Sequence, residues 1–245
     1  MQGLSKRFAS AAAPVWSGVS FSVPVGQRVA IVGGNGTGKS TLLRCCVRAI
    51  EPDAGTVAVA GQPLLGLERV GLRQVRSRVG FVFQKHHLVT RLSVLSNVLH
   101  GALGTHGSAR LWFQGLAPAP LRHQALACLE QVGLAGLASR RADELSGGQS
   151  QRVAIARALM QEPALLLADE PAASLDPQAG DEVMQLFSEL ARLRGLTLVF
   201  VTHHLEHALA CADRVLGLRD GALVLDMTTR DVDVSRLRAL YEQPR

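Results

Sequence analysis

A glycine-rich loop between an apolar segment and a helical segment constrains the fold of this chain more than any other feature. Residues 29–32 form a continuous run, VAIV, and GGNGTGKST follows at once over positions 33–41. An uninterrupted apolar run of this kind is typical of a strand buried on both faces of a parallel sheet. Leu42, Leu43 and Val47 then recur at helical spacing. Strand, loop and helix in this order predict a phosphate-binding loop in an α/β fold.

The loop has the residues that phosphate binding requires. Glycines bring backbone N–H groups close to phosphate oxygens because they have no Cβ and adopt positive φ. Lys39 is expected to reach the β- and γ-phosphates, Ser40 to ligate Mg²⁺ and Thr41 to donate to the α-phosphate. The start of the following helix adds its positive end. The predicted nucleotide-binding residues are Gly33, Gly34, Asn35, Gly36, Thr37, Gly38, Lys39, Ser40 and Thr41.

Two carboxylates stand at the end of a second apolar strand. The segment LLLADEP, at 165–171, puts Asp169 last in the strand and Glu170 directly after it. Because ligands bind at the carboxyl ends of parallel strands, Asp169 is expected beside the glycine loop, where it holds Mg²⁺ through water. Glu170 would point to the other side and polarise an attacking water. A helix-capping glutamate is the alternative, but Pro171 and the upstream loop favour a catalytic role.

Two more polar residues follow predicted strands. Gln84 ends the segment FVFQ, and His203 comes shortly after the apolar strand at 197–201. Alone, a strand-end glutamine carries little information, and a lone histidine is more often structural or exposed. His203 and His204 are adjacent, so these residues by themselves do not decide which of the two is functional.

A second glycine-containing motif, LSGGQ, lies at 145–149 before a helical segment. It offers a hydroxyl, bare backbone amides and the positive end of a helix, which together can bind a γ-phosphate. The motif is far in sequence from the glycine loop, and a P-loop kinase or GTPase has no use for it. The residues predicted to contact nucleotide here are Ser146, Gly147, Gly148 and Gln149.

These motifs occur once each, in an order that resembles the ATPase subunit of an ABC transporter, from Leu4 to Asp226. The resemblance implies an α/β fold: a P-loop NTPase (RecA-like) core with an antiparallel β subdomain and an inserted helical subdomain. We expect one ABC ATP-binding domain over 1–245, with the helical subdomain at about 86–160. ATP and Mg²⁺ are the cofactors it implies.

The resemblance also assigns roles to single residues. Gln84 matches the residue that reaches Mg²⁺ and the attacking water, so Ser40, Gln84 and Asp169 form the predicted metal set. His203 matches the histidine that contacts the γ-phosphate and, with Glu170 and Gln84, completes the predicted catalytic set. Asp176 matches the loop that crosses the dimer interface.

For the adenine, the family stacks an aromatic residue after an N-terminal LSK-like segment, and Phe8 in LSKRF takes that role. Trp16 is predicted to pack in the core. Since Leu4 is only three residues from Met1, we expect the family's first strand to be short or missing.

In the family the LSGGQ segment faces the phosphate loop of a second subunit. The resemblance therefore implies a two-fold homodimer with two ATPs between the subunits. Residues 80–104 and the segment RLWFQGLAP resemble the phosphonate-importer ATPases in particular. They imply two transmembrane permease subunits, an extracytoplasmic binding protein reached through them, and a peripheral position on the cytoplasmic face of the inner membrane. A transporter ATPase for phosphate, amino acids or lipoproteins, and a non-transport ABC ATPase, are the alternatives.

Composition excludes other classes. Hydrophobic residues make up 47% of the 245, yet no apolar run approaches the roughly 18–20 residues that span a bilayer. The net charge of +6 is scattered and aromatic residues make up only 4%, so no nucleic-acid partner is predicted. The four cysteines lack zinc-ligand spacing and are expected to be reduced and mostly buried. Residues 105–120 are expected to form a surface loop anchored by Trp112 and Phe113.

Overall fold

The computed structural model describes residues 1–9, 13–238 and 240–241. The strands of the described residues are β1 Gln2–Lys6, β2 Trp16–Val19, β3 Arg28–Gly33, β4 Ala54–Thr56, β5 Ala58–Val59, β6 Gln62–Pro63, β7 Val79–Val82, β8 Leu165–Asp169, β9 Thr197–Val201, β10 Arg214–Arg219 and β11 Ala222–Thr228. The α-helices are α1 Lys39–Cys46, α2 Arg69–Arg76, α3 Val94–Leu99, α4 Leu103–His106, α5 Ala119–Gln131, α6 Gly147–Leu159, α7 Pro177–Leu193, α8 Leu205–Cys211 and α9 Val234–Arg238.

The central sheet has the strand order β11-β10-β3-β9-β8-β7. All neighbours pair in parallel except β10 and β11, which form an antiparallel hairpin with Leu218 opposite Leu223. The turn of this hairpin is Asp220-Gly221, a dipeptide typical of tight hairpins. The carboxyl ends of β3, β7, β8 and β9 lie at one edge, so the segments that follow them meet there.

Both faces of this sheet are buried, which explains the continuous apolar sequence of β3. Val29 and Ile31 belong to the cluster on the face that packs against α1 and the antiparallel strands. Ala30 and Val32 belong to the cluster on the opposite face, formed largely by the other helices. Because successive strand residues point to opposite faces, a strand between two layers needs apolar residues at every position.

A small antiparallel sheet with the order β2-β1-β4 adjoins the core. Its central strand is β1, which pairs with β2 on one side and β4 on the other. The expectation of a short or missing first strand was therefore wrong: β1 has five residues, and Leu4 is fully buried. The structure confirms the predicted α/β core and the antiparallel β unit.

Helices α3, α4, α5 and α6 all lie in the chain between β7 and β8, which are neighbours in the sheet. Helices α3, α5 and α6 pack on one another, and α6 also contacts β7. In the segment at 105–120, Trp112 and Phe113 are 52% and 60% exposed, so the prediction that they anchor it was wrong. Leu111, next to them, is the fully buried residue.

Local signals at helix ends were reliable. Ser93 caps α3 by accepting a hydrogen bond from the Ser96 N–H. Asp176 caps α7, with Pro177 at the first helical position. All four cysteines are free and buried, as expected. Within the described ranges, we find no helix whose length and apolar character would let it traverse a bilayer.

Candidate functional site

The glycine loop and α1 begin where β3 ends, and Gly38 shows why glycine is required there. Its φ is +85°, and a Cβ built on it would lie 2.2 Å from Val15 Cγ1 and 2.6 Å from Trp16 Nε1. Trp16 is fully buried, which confirms its predicted core position, and its Nε1 donates to the Gly38 carbonyl at 3.4 Å. Val15 and Trp16 therefore support the loop from outside, a contact that no motif indicated.

The remaining loop residues form a tight turn. The backbone N–H and the hydroxyl of Thr37 both donate to the Gly34 carbonyl, at 3.4 and 2.9 Å. Asn35 and Gly36 are exposed at the tip. Thr41 lies in the first turn of α1. Exposed backbone at the tip of the loop and the start of a helix is the arrangement that binds phosphate.

Lys39 lies inside this loop and is 5% exposed. Its Nζ donates to the carbonyls of Gly33 and Gly34, at 2.8 and 2.9 Å. Burial lowers the pKa of Lys39, and the nearby carboxylates of Glu170 and Asp169 act in the opposite direction. The structure thus places an ammonium group at the centre of the loop, with two acidic residues close enough to act on it.

Two of the three predicted metal ligands are in contact. The Ser40 hydroxyl donates to Asp169 Oδ1 at 2.7 Å. Asp169 is 6% exposed. Its burial raises the pKa of its carboxyl, while the Ser40 hydrogen bond and the charges of Arg44 and Lys39 lower it. The third predicted ligand, Gln84, lies two residues beyond the end of β7, is exposed, and makes no side-chain hydrogen bond within the described ranges.

Glu170 has a left-handed backbone, with φ at +49°. Its N–H donates to the Val201 carbonyl on the neighbouring strand at 3.1 Å, and its own carbonyl accepts from the Ala173 N–H. Left-handed geometry in a residue other than glycine is uncommon and is often found at functional sites. The side chain is directed toward His203, whose Nδ1 lies 3.5 Å from Glu170 Oε2.

The adjacent histidines have different surroundings. His203 contacts Glu170, whereas His204 stacks on His203 and on His207, with ring centroids 4.3 and 5.0 Å apart. His207 Nε2 lies 2.7 Å from Asp181 Oδ1. Burial lowers the pKa of His204, and the neighbouring histidines lower it further. This geometry favours His203 as the histidine of the site.

Phe8 lies just beyond β1, at the end where Lys6 pairs with Trp16. Its ring is 39% exposed, and the Lys6 ammonium lies 5.6 Å from the ring centroid. Because Trp16 contacts Gly38, this end of β1 adjoins the glycine loop. An exposed aromatic ring there is suitably placed to stack on a base.

The LSGGQ segment caps α6 and packs against the start of α7. Ser146 and Gln149 form a capping box, in which each side chain accepts from the backbone N–H of the other residue. A Cβ on Gly147 would lie 3.1 Å from Leu175 Cδ2, next to Asp176. Ser146 and Gly147 are exposed. Among the described residues, the hydrogen bonds of this segment do not reach residues 33–41.

Comparison with known proteins gives consistent matches. A model of the ABC transporter family matches residues 16–173. The phosphonates import ATP-binding protein of Alcaligenes faecalis is 46% identical over 224 residues, covering 91% of this chain and 81% of that protein. The protein of the same name from Frankia casuarinae is 49% identical, covering 95% and 90%.

Solved structures match equally well. A dimeric ATP-binding cassette in a post-hydrolysis state, bound to ADP and Pi, has a TM-score of 0.79 and 32% identity, covering 94% of this chain and 97% of its own. A cassette of an ABC transporter complex from Clostridium perfringens has a TM-score of 0.83 and 28% identity, covering 97% and 90%.

Proposed function

This chain belongs to the ABC transporter family and is an ATPase, and we propose from that premise that it drives the import of phosphonates through a membrane permease. We base the assignment of phosphonate as the substrate on the name shared by relatives that are 42–49% identical over at least 91% of the chain. Each of them is named as a phosphonates import ATP-binding protein.

ATP is bound by the loop at 33–41, and we assign the triphosphate to its exposed amides and to the Lys39 ammonium. Lys39 already lies within 2.9 Å of two loop carbonyls, so a small movement of its side chain suffices to reach a phosphate. Charge-assisted bonds to phosphate are roughly twice as strong as neutral ones. Phe8 is proposed to stack on the adenine.

Mg²⁺ fits the oxygen atoms that converge beside the loop. The Ser40 hydroxyl and the Asp169 carboxylate are hard donors in direct contact, and Mg²⁺ usually takes only one or two protein oxygens together with water and phosphates. Gln84 is the proposed third residue. Bound Mg²⁺ would neutralise the phosphate charge that develops during hydrolysis.

Hydrolysis is assigned to Glu170 and His203. A carboxylate oxygen of Glu170 accepts a hydrogen bond from the attacking water and orients it toward the γ-phosphate. Glu170 has a left-handed backbone, and its carboxylate lies on the side of His203. His203 then contacts the γ-phosphate while Glu170 holds the water. The histidine also limits where the carboxylate can lie.

A second copy of the chain completes the site. Ser146 and Gly147 are exposed at the start of α6, where a second copy can reach them. Dimeric cassettes are among the structures similar to this one. We propose a homodimer in which Ser146, Gly147, Gly148 and Gln149 of each copy face the ATP held by the other. Asp176 lies at this interface.

The partners follow from the transport role. Two permease subunits would span the membrane, and an extracytoplasmic binding protein would deliver phosphonate to them. The chain would lie on the cytoplasmic face of the inner membrane as a peripheral subunit. Exposed apolar side chains between β7 and β8, including Trp112, Phe113 and Leu116, offer area for such a contact. We propose that these side chains belong to a helical subdomain that spans about 86–160. No nucleic-acid partner is proposed.

The test begins by isolating the tagged chain from its native membrane. Recovery with a hydrophobic permease supports the proposal, and recovery with DNA or ribosomes instead would refute it. The complex is then reconstituted in vesicles with its binding protein, and ATP hydrolysis is measured with methylphosphonate, phosphate or an amino acid. We expect stimulation by the phosphonate alone at micromolar concentration, with Glu170→Gln as the inactive control. Stimulation of ATP hydrolysis only by phosphate or an amino acid would refute phosphonate as the substrate and identify that compound instead.

A further inference from the structure

The segment that follows β11 returns to the glycine loop. Helix α9 at Val234–Arg238 and the nearby Leu240 pack on the core, where Leu237 is fully buried and Leu240 is 8% exposed. Tyr241 ends the described part, and its N–H donates to the Arg238 carbonyl at 2.9 Å. It is the chain's single tyrosine.

Gly217 in β10 leaves the space into which this C-terminal segment packs. A Cβ on Gly217 would lie 2.7 Å from Leu240 Cδ1 and 2.9 Å from Leu225 Cβ. Its backbone is not in the left-handed region, so glycine is needed here for space. Gly217 pairs with Val32, the residue before the glycine loop. Leu240 is therefore held one strand away from the start of the loop.

The hydroxyl of Tyr241 accepts a hydrogen bond from the Gly33 N–H at 3.2 Å. Lys39 Nζ donates to the carbonyl of the same residue at 2.8 Å. Gly33 is fixed in addition by a close approach to β10, because a Cβ on it would lie 2.2 Å from the Leu218 carbonyl oxygen. Gly33 is thus held on its N–H side by Tyr241 and on its carbonyl side by Lys39.

The environment of the phenol agrees with this contact. Burial raises the pKa of Tyr241, the bond from Gly33 lowers it, and the negative charge of Glu170 raises it. The Tyr241 phenol consequently stays neutral at physiological pH, and its hydroxyl keeps its proton. The influence of Glu170 also places Tyr241 near the carboxylate assigned to hydrolysis.

We propose that Tyr241 is a positioning residue for the phosphate loop, whose hydroxyl holds the Gly33 peptide in the orientation that ATP binding requires. The inference rests on the proposed nucleotide site at 33–41. When Lys39 turns from the Gly33 carbonyl to the phosphates, the hydrogen bond that Tyr241 accepts from the Gly33 N–H, in the Val32–Gly33 peptide, remains and keeps Gly33 in place. The C-terminal segment therefore acts on ATP affinity, and the catalytic groups beyond the loop are left unchanged.

The first test compares Tyr241→Phe with the wild type in the assembled transporter. Removing one hydrogen bond should raise the KM for ATP about 3- to 10-fold. The kcat at saturating ATP should change less than about 2-fold, because Glu170 and His203 are untouched. Arg236→Ala, an exposed substitution in α9, is the control and should leave both constants unchanged. Leu240→Ala should reproduce the rise in KM by releasing the segment, and thermal unfolding of each variant checks that the fold is kept.

The second test uses the single tyrosine as a probe. Biosynthetic 3-fluorotyrosine gives one ¹⁹F resonance, which Mg²⁺ and ATP should shift in the wild type but not in Lys39→Ala. Unchanged KM in Tyr241→Phe, or a resonance that ATP does not move in a wild type that binds ATP, would overturn the inference alone. Failure of the wild type to bind ATP would instead remove the nucleotide site and the inference with it.

Discussion

Glu170 is held in a left-handed conformation, with φ at +49°, and this geometry can be tested separately from its carboxylate. A Cβ in this region costs about 1–2 kcal/mol, a cost that glycine escapes. Glycine loses about 0.5–1 kcal/mol more than alanine through conformational entropy on folding. We therefore expect the Glu170→Gly variant to be more stable than the Glu170→Ala variant, with a free energy of unfolding about 0.5–1 kcal/mol higher, although both lack the carboxylate.

The comparison with alanine matters because both substitutions remove the contact to His203, which lies 3.5 Å away. The difference between their free energies of unfolding therefore reports the effect of the backbone conformation at position 170. Urea unfolding of each variant, followed by tryptophan fluorescence, gives the free energies, because buried Trp16 becomes exposed on unfolding. Equal stabilities, or a more stable alanine variant, would refute the claim that this residue is strained.

The same series measures catalysis. Glu170→Gln preserves side-chain length and should keep ATP binding nearly intact while hydrolysis falls about 10²-fold or more, because the water is no longer oriented by a carboxylate. The ATP-bound dimer should accumulate. Glu170→Gly should hydrolyse no faster than Glu170→Gln despite its more favourable backbone. Normal turnover of Glu170→Gln with full ATP loading would remove Glu170 from the mechanism.

Three further predictions concern charge and assembly. Lys39→Ala should weaken ATP binding about 10- to 150-fold, since a charge-assisted bond is worth roughly 1.5–3 kcal/mol; equal affinity in a nucleotide-binding titration would contradict the phosphate role. Ser146→Arg should spare ATP binding by the monomer but abolish dimerisation and hydrolysis. Mixing it with Lys39→Ala should restore one composite site, as measured by sedimentation and ATPase assays. Wild-type behaviour of Ser146→Arg would exclude the shared site. Burial alone would raise the pKa of Asp213, but two hydrogen bonds from the Arg28 guanidinium and one from its N–H hold that pKa below the usual range. Asp213 therefore stabilises the fold at neutral pH and loses this contribution as the pH falls through its folded-state pKa, below 3.8. Asp213→Asn should be destabilising in urea at pH 7, and its difference from wild type should shrink as the pH falls below 3.8. A difference that grows toward acid would show the opposite sign.

Local sequence was sufficient for several elements of the fold. Strand β9 at Thr197–Val201 has the predicted bounds, and helix α7 at Pro177–Leu193 begins at its local start signal. Their signals are short-range: an apolar run between two layers, and a capping Asp176 followed by proline. The glycine loop is equally local, because its shape depends on residues that tolerate positive φ.

Other properties depend on partners far away in the chain. Hydrophobicity alone could not tell exposed Trp112 and Phe113 from fully buried Leu111, because only the packing of the helices between β7 and β8 decides which neighbour points inward. His203 and His204 likewise look alike in sequence, and the strand order that brings β8 beside β9 places only His203 against Glu170.

What the sequence by itself predicted is the chemistry of this protein: a phosphate-binding loop, two carboxylates after a buried strand, and a second glycine motif before a helix. These are patterns of adjacent residues, and their physical requirements are met within one turn of the backbone. The tertiary structure alone decided how the loop is supported. Gly33 and Tyr241 are 208 positions apart, and Gly38 and Trp16 are 22 apart. Contacts of this kind form only when separate elements pack, so no periodicity or spacing in the chain records them.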